Sequence, residues 1–434
     1  MTPMIQTSRA DAVLLRRAAP GDARDIARLY NQAYSTEGRA AKEQYPFPQV
    51  LEPGWIAEAV AGGSIAWVVA EAGGGLVGST AAVRNIGGRR DRIAEVFGVV
   101  VSDEARMKGV ATRLLDLLCA ELGGEAEFIL CEARTAEPGG WKVARNCGFL
   151  PVGFEPFAHA MPVGFESMVL TGRVVGDWSA RPAVPPRLTP TAQALALAVV
   201  GAGARFRPEG HGGASPDPVG NDPSSTPAGA PPAEPFEVRR DDEGGRRMLE
   251  GRGGDLDHRS GVIGLRPLEG EDREGRRYER PYFLGLQGDR MVGCARTVWD
   301  WTDRRARILD LRVERDGLQA GMLADTTRAL LRMAGYGPLI VIVNVRADAL
   351  GLQRNLEQLR FFPTSYYPGL IAVAGGRCDA VQYTHLHRRR IEEGLEFVTD
   401  IDWPRARSVI DQVLESRRCP PLTRAIRAPW SRCN

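Results

Sequence analysis

The chain of 434 residues has few histidines and no closely spaced cysteine pair. It contains 5 His and 7 Cys, and no two of the cysteines form a Cys-x-x-Cys motif. Structural zinc sites normally need closely spaced Cys and His ligands, so we expect no metal site. An odd number of cysteines in mostly apolar surroundings also predicts reduced, buried thiols, as in cytosolic proteins.

Long hydrophobic runs are missing as well. The best candidate, from Ala192 to Ala202, is too short to span a membrane, and the N-terminus has no apolar signal region. The net charge is only +2, which gives no indication of a nucleic-acid partner. We therefore expect a cytoplasmic protein with neither a membrane nor a nucleic-acid partner.

Composition and periodicity divide the chain into four parts. Residues 1–178 predict an α/β domain, in which a mixed sheet is flanked by helices. Residues 179–235 are rich in Pro, Gly and Ala, which predicts a flexible linker with one helix near Thr191–Val200. Residues 236–400 repeat the element order of the first part with little residue identity, and residues 401–434 predict a C-terminal helix and tail.

The most informative segment extends from Ile93 to Leu115. A β-branched run ends at Val101, and the turn Arg106–Ala111, of the form Arg-x-x-Gly-x-Ala, leads into an amphipathic helix. A strand, a glycine turn and a helix in this order direct free N–H groups at an incoming anion. The segment has neither a P-loop nor a dinucleotide-binding glycine motif. It predicts a different kind of phosphate site, although an ordinary strand-to-helix turn can have the same spacing.

A second match to this spacing, Arg332-Met-Ala-Gly335-Tyr-Gly337, has the opposite polarity. It ends a predicted helix and precedes a predicted strand, so it presents carbonyl groups rather than N–H groups. Gly335 therefore fits a helix C-cap, and the anion site is predicted only at the first turn.

Residues from Ala12 to Val175 resemble the GNAT superfamily of acyl-CoA N-acyltransferases. The family signature Gln/Arg-x-x-Gly-x-Gly/Ala follows the fourth strand and opens the third helix, as the turn does here. The opening Leu-Arg-Arg-Ala-Ala-Pro-Gly-Asp and the later Cys-Gly-Phe-Leu-Pro-Val-Gly-Phe are also typical of it. The resemblance implies acetyl-CoA as cosubstrate. It implies that the pantetheine arm pairs with the backbone of Val99, Val100 and Val101, and that the pyrophosphate is bound by Arg106, Met107, Lys108, Gly109, Val110, Ala111 and Thr112.

The second unit resembles a degenerate copy of the first. When Gly321 is aligned with Gly109, Leu318 and Leu323 replace the basic and the second small residue of the signature. We expect no tight coenzyme site there, but a structural partner or a wall of the acceptor pocket. Two such halves would form a pseudo-dimer within one chain.

Glu95 is the candidate base for deprotonating the acceptor amine. It lies eleven residues before Arg106, the separation at which histone-acetylating members of the superfamily carry a catalytic glutamate. Strand alternation places Glu95 on the same face as Phe97 and Val99, where apolar neighbours raise the pKa of a carboxyl group. The alternative is a surface carboxylate at the start of the strand, beside the charged hairpin at residues 87–92.

Other groups of the reaction are less well defined. The resemblance implies the N–H of Val99 as the oxyanion donor. Ala144 stands where the family commonly has an acidic tyrosine, and Glu137 replaces a common asparagine, so the thiolate leaves unassisted or takes a proton from water. Cys147 has no flanking histidine that would form a thiolate, which predicts a buried thiol rather than a nucleophile.

The sequence as a whole predicts an N-acetyltransferase acting on a small-molecule or peptide amine. Two alternatives stay open: an acyltransferase with another acyl-CoA or acyl-carrier donor, and a non-enzymatic acetyl-CoA-binding module.

Overall fold

Among the residues that the structure describes, one mixed sheet of fifteen strands extends through both halves of the chain. The computed structural model describes residues 13–35, 41, 45, 47–87, 90–135, 138–160, 165–175, 184–201, 237–250, 260–265, 278–301, 303–333, 340–387 and 401–416. The strands are β1 (Leu14–Arg17), β2 (Ile65–Ala72), β3 (Gly75–Val83), β4 (Ile93–Val101), β5 (Phe128–Arg134), β6 (Leu150–Ala160), β7 (Phe165–Val174), β8 (Glu237–Arg240), β9 (Val262–Ile263), β10 (Tyr282–Gln287), β11 (Arg290–Asp300), β12 (Arg305–Val313), β13 (Ile340–Arg346), β14 (Phe362–Val373) and β15 (Gly376–Leu386). The helices in the same residues are α1 (Ala23–Tyr34), α2 (Pro53–Gly62), α3 (Val110–Leu122), α4 (Pro138–Asn146), α5 (Pro190–Val200), α6 (Asp242–Glu250), α7 (Gln319–Arg332), α8 (Leu350–Gln358) and α9 (Pro404–Ser416).

The two halves have the same strand order. The first half runs β1-β2-β3-β4-β5-β7-β6, and the second, counted from its outer edge, runs β8-β10-β11-β12-β13-β15-β14, with β9 beside β13. Each half has one parallel pair, β4 with β5 and β12 with β13, and the other described pairs are antiparallel. The predicted α/β class with a mixed sheet flanked by helices is therefore confirmed.

Helix α3 shows why the first half folds as its sequence predicts. Its buried residues, Leu114, Leu115, Leu118 and Leu122, recur at helical spacing and pack with residues of β2 and β3. The helix and strand β4 have the bounds that the sequence predicts. No helix of the described residues is long and apolar enough to cross a membrane.

The halves meet where β6 pairs with β14. Gly153 lies opposite Ser365, and a Cβ on Gly153 would come within 2.6 Å of the Thr364 carbonyl oxygen. Only glycine lets the two strands approach this closely. Nearby, Arg377 Nη2 donates a hydrogen bond of 2.8 Å to the Asp91 carbonyl oxygen, which ties β15 to the turn before β4.

Residues 184–201 correct the prediction of a flexible linker over 179–235. Helix α5 forms there as the sequence predicts, but Leu195 and Ala196 are fully buried and the helix packs on β14. The predicted C-terminal helix α9 packs on β6 and on α5. Composition missed this packing because a short apolar helix shows no amphipathic stripe, and its partners lie far away in the sequence. The rest of the linker and the predicted C-terminal tail after 416 lie outside the described residues.

Strands β8 and β9 and helix α6 are not predicted by the sequence pattern. Two of these segments are rich in charge, as in Glu237-Val-Arg-Arg240, and β9 has only two residues. They have too few apolar positions to reveal a period.

We expect Gly153→Ala to lower the free energy of unfolding by about 1–3 kcal/mol, because the added methyl group forces β6 away from β14. Gly54→Ala, in the first turn of α2, is the matched control, since a Cβ there meets nothing within 4 Å. Denaturant unfolding of both variants checks the prediction. Equal stability of the two would show that the halves do not need this close approach.

Candidate functional site

Strand β4 separates from β5 in its second half. Their parallel pairing covers only Ile93–Val96 and Phe128–Cys131. Beyond it Gly98 has a φ of +65°, and the register of β4 with β3 shifts. A Cβ on Gly98 would lie 2.9 Å from the Tyr30 ring, so the bulge requires glycine. Among the described residues, the edge of β4 after Val96 has no partner on the β5 side, and its backbone is available to an extended ligand.

The turn after β4 leads to a helix N-terminus without a side-chain cap. Gly109 is the N-cap of α3 with a φ of +73°, and no described side chain caps the helix. A Cβ on Gly109 would meet nothing within 4 Å, so the space over the turn is open. The first N–H groups of a helix have no intrahelical acceptor and favour anions. Of the predicted residues 106–112, Gly109 is the N-cap and Val110, Ala111 and Thr112 form the first turn of the helix, and a helix N-terminus of this kind can bind phosphate.

Arg106 lies at the surface beside this turn. Its guanidinium pairs with Asp103 at 3.0 Å, and the two side chains are 58% and 81% exposed. Such exposed pairs contribute little stability, about 0–1 kcal/mol. Arg106 can therefore exchange Asp103 for a phosphate with only a small loss of free energy.

A cavity of about 230 Å³ lies beside the separated part of β4. Both halves of the chain line it. The predicted residues Glu95 and Val99 are in its wall, whereas Val100 is buried in the core between β4 and α1. The first-half lining includes Tyr34, Tyr45, Phe47, Phe97, Gly98, Leu115, Glu132, Arg134, Val143 and His159, and the second half supplies Tyr278, Asp303, Arg305 and Arg307.

Glu95 is half-buried in this wall rather than on the outer surface. None of the described residues forms a hydrogen bond with its carboxylate. Burial and the nearby charge of Glu132 raise the pKa of Glu95 to about 7. A carboxyl group with this pKa can accept and release a proton at neutral pH.

Glu132 and Asp303 hold His159 between them. His159 Nδ1 lies 2.6 Å from Asp303 Oδ2, and Nε2 lies 3.6 Å from Glu132 Oε2. Burial by itself lowers the pKa of His159, but the charge of Asp303, the hydrogen bond to Asp303 and the nearby Glu132 carboxylate raise it to about 10. Burial by itself raises the pKa of Glu132, but His159 and the two arginines lower it to about 2. His159 is thus a cation and Glu132 an anion at neutral pH.

Arg305 joins the two halves from β12. Its Nη1 donates a hydrogen bond of 2.9 Å to Glu155 Oε1, and Gln382 Nε2 donates one of 3.1 Å to Glu155 Oε2. Arg305 Nη2 also lies 3.8 Å from Asp303 and 4.0 Å from Asp300. Burial and the charge of Asp303 raise the pKa of Asp300 to about 6.

Cys147 and Ala144 lie in the core, away from the cavity. Burial raises the pKa of Cys147 to about 12, and its Sγ donates a hydrogen bond of 3.4 Å to the Thr112 carbonyl oxygen. The prediction of a buried thiol is therefore confirmed. All five described cysteines are free and buried, and no described group of three or more His, Cys, Asp or Glu could hold a metal ion. Glu137, Gly335, Cys419 and Cys433 lie outside the described residues.

The sequence does not predict the other charged residues that line the cavity together with Glu95. Arg305 and Arg307 precede the apolar run that begins at Ile308, and His159 follows Phe157, so the residue pattern does not place these three residues in strands. The available signal was the alternation Arg305-Ala-Arg307 immediately before an apolar strand, which places both arginines on one face. Their partners in the first half could not be identified from the sequence.

Comparison with protein families matches residues 24–149 to the acetyltransferase (GNAT) family. Solved structures similar to this chain include an N-acetyltransferase from Staphylococcus aureus Mu50, with 18% identity and a TM-score of 0.33, over 38% of this chain and 100% of that chain. A mutant of spermidine N-acetyltransferase from Vibrio cholerae has 16% identity and a TM-score of 0.31, over 37% and 93% of the two chains. A phosphinothricin acetyltransferase from Sinorhizobium meliloti in complex with AcCoA has 20% identity and a TM-score of 0.33, over 39% and 92%. No curated protein matches the chain significantly.

We expect the stability of the protein to fall between pH 6.5 and 10 through His159. The pKa of His159 is raised from 6.5 to about 10, so the folded state binds its proton more tightly than the unfolded state. This stabilisation is complete below pH 6.5 and is lost as the pH rises through 10, by up to about 1.4 kcal/mol per pH unit. Denaturant unfolding at several pH values should show a smaller decline for His159→Gln. An unchanged decline would contradict the assigned charge state.

Proposed function

Because residues 24–149 form a domain of the GNAT acetyltransferase family, we propose that the chain transfers an acetyl group from acetyl-CoA to a primary amine. The observation that carries this proposal is the position of Glu95, which faces the same cavity as the separated edge of β4. The coenzyme and the acceptor would thus come together in the cavity that Glu95, the candidate base, lines.

The residues of the first half fit acetyl-CoA. The open N-terminus of α3 at Gly109 offers backbone N–H groups to a pyrophosphate, and Arg106 and Lys108 add positive charge. On the side that faces away from β3, the backbone at Val99–Val101 has no strand partner among the described residues and offers hydrogen bonds to an extended pantetheine arm. When bound, acetyl-CoA supplies the acetyl group as a thioester.

Glu95 would accept the proton of the acceptor ammonium, directly or through one water. Since the pKa of Glu95 is about 7, roughly half of its carboxyl groups are ionised at neutral pH. The N–H of Val99 is our candidate donor to the thioester oxygen, because Val99 lines the same cavity as Glu95. Ala144 is fully buried and carries no proton to donate, so the leaving thiolate would be protonated by water.

We further propose that the second half is a degenerate copy that no longer binds coenzyme. Its strand order supports this interpretation. The N-cap of α7 is Leu318, with a φ of −87°, and Gly321 lies within the first turn rather than at the N-cap position of Gly109. Leu318 and Leu323 are buried, so apolar side chains occupy the place of the open turn. The second half would instead complete the acceptor side of the cavity within a pseudo-dimer.

We expect Glu95→Gln to lower kcat/KM by about 10²–10⁴-fold, because glutamine cannot accept the proton. Acetyl-CoA affinity should stay unchanged, since Glu95 is not in the turn that faces the pyrophosphate. Amine-dependent release of free thiol from acetyl-CoA and calorimetry measure the two quantities. Full activity of the variant would remove Glu95 from the reaction, and no thiol release from the unmodified protein with any amine would favour a binding module.

We expect Gly109→Glu to abolish acetyl-CoA binding, because a carboxylate at the N-cap repels the pyrophosphate and blocks the open turn. Gly63→Glu is the matched control: Gly63 also has a positive φ, +69°, and open space around its Cα, but it ends α2. Calorimetry should show normal affinity for the control. Normal affinity of Gly109→Glu would refute the coenzyme assignment.

A further inference from the structure

We propose that the acceptor is an amino acid or another small amine that carries a carboxylate, and that Arg307 binds this carboxylate. The inference rests on the proposed acetyl transfer, because it concerns the acceptor in the same cavity. Arg307 lies on β12 in the second half and lines the same cavity as Glu95.

Arg307 is a buried arginine whose hydrogen-bonding capacity is unused. Its side chain is 11% exposed, and its one ion pair among the described residues joins Nη2 to Glu132 Oε1 at 3.7 Å, which is beyond hydrogen-bond distance. No described residue accepts a hydrogen bond from it. A guanidinium has five N–H donors, and Arg307 lines the cavity, where an entering ligand can accept hydrogen bonds from it. The Arg307 side chain can therefore bind an anionic ligand through these donors.

Arg305 provides the contrast on the same strand face. Its side chain is 8% exposed, and its guanidinium already binds Glu155 at 2.9 Å, with Asp303 and Asp300 close by. Arg305 links residues of the two halves in the cavity wall. Arg307 lies two residues further along β12, and its N–H donors are available to a ligand in the cavity. The two arginines thus lie on the same face of β12 but have different partners.

Arg307 and Glu95 both line the main cavity, and both line a smaller pocket of about 20 Å³. No N–O distance of 4.0 Å or less joins their side chains, so the two charges are near each other but unpaired. An acceptor with an amine and a carboxylate would place the amine at Glu95 and the carboxylate at Arg307.

The surrounding charges favour a carboxylate over other groups. Glu132 and Glu95 would repel the higher negative charge of a phosphate, while a planar carboxylate fits a guanidinium through two parallel hydrogen bonds. A polyamine would leave Arg307 without a partner and bring a second ammonium toward it. The cavity of about 230 Å³ also lies below the roughly 300–1,000 Å³ typical of drug-sized ligands, which suits a small acceptor.

Paired acceptors test the inference directly. Thiol release from acetyl-CoA is measured with the proteinogenic amino acids, β-alanine and γ-aminobutyrate as acceptors. Each acceptor is compared with the corresponding amine that lacks the carboxylate. We expect kcat/KM to be at least about 10²-fold higher for a carboxylate-bearing acceptor than for its partner amine. Arg307→Met should remove this preference by lowering kcat/KM for the carboxylate alone, mainly through KM. Arg307→Lys keeps the positive charge beside Glu132, so kcat/KM for the carboxylate-bearing acceptor should fall less than in Arg307→Met.

Arg312→Met is the control variant. Arg312 lies on the same strand and pairs with Asp310 at 3.1 Å, and it is not among the cavity-lining residues. The preference should survive this change. Equal kcat/KM for both members of every pair, or an equal loss for both members in Arg307→Met, would overturn the inference.

Binding separates this inference from the proposed reaction. Calorimetry with the same pairs in the presence of coenzyme A reports acceptor binding without turnover. Carboxylate-dependent binding that Arg307→Met abolishes, with no thiol release, would refute acetyl transfer and support the role of Arg307. Thiol release with amines that lack a carboxylate, and no carboxylate-dependent binding, would support acetyl transfer and refute the role of Arg307.

Discussion

The buried ion pair between Glu155 and Arg305 is the interaction on which the cavity depends. Glu155 is fully buried and Arg305 nearly so, and their sequence positions are 150 residues apart. Transfer of both charges out of water is costly, and the loss of one partner from such a pair typically costs about 3–5 kcal/mol. Gln382 donates a hydrogen bond to the second carboxylate oxygen of Glu155, which lowers the free-energy cost of burying this carboxylate. The pair brings the start of β12 to the first half, and Arg307 comes with it.

The cavity combines two environments with different origins. Its side near the separated part of β4 is apolar, with Phe97, Leu115 and Val143 from the first half. Its opposite side is charged and shared between the halves, since His159 binds Asp303 across the junction. The apolar side and the unpaired strand suit a pantetheine arm, and the charged side suits a polar acceptor. In our account the second half thus contributes to acceptor recognition rather than to coenzyme binding.

The sequence predicts the first half well and the junction poorly, for a physical reason. The bounds of β4 and α3 follow from a β-branched run, an amphipathic period and Gly109, all of which are local signals. Glu95 could be singled out because it lies eleven residues before Arg106, a separation that the resemblance to the superfamily associates with a catalytic glutamate. The ion pairs of His159 and Arg305 could not be predicted, because charged residues at strand ends resemble loops and their partners lie on other strands. Helix α5 was assigned to a linker for the same reason: its burial depends on β14 and α9.

A crystal structure of the protein with coenzyme A and a non-reacting amino acid would test the central claim most directly. The account predicts the pyrophosphate on the N–H groups at Gly109–Thr112, the thiol end in the cavity beside Glu95, and the amino acid between Glu95 and Arg307. Coenzyme bound at α7 of the second half, or a thiol end that Glu95 cannot reach even through one water, would contradict it.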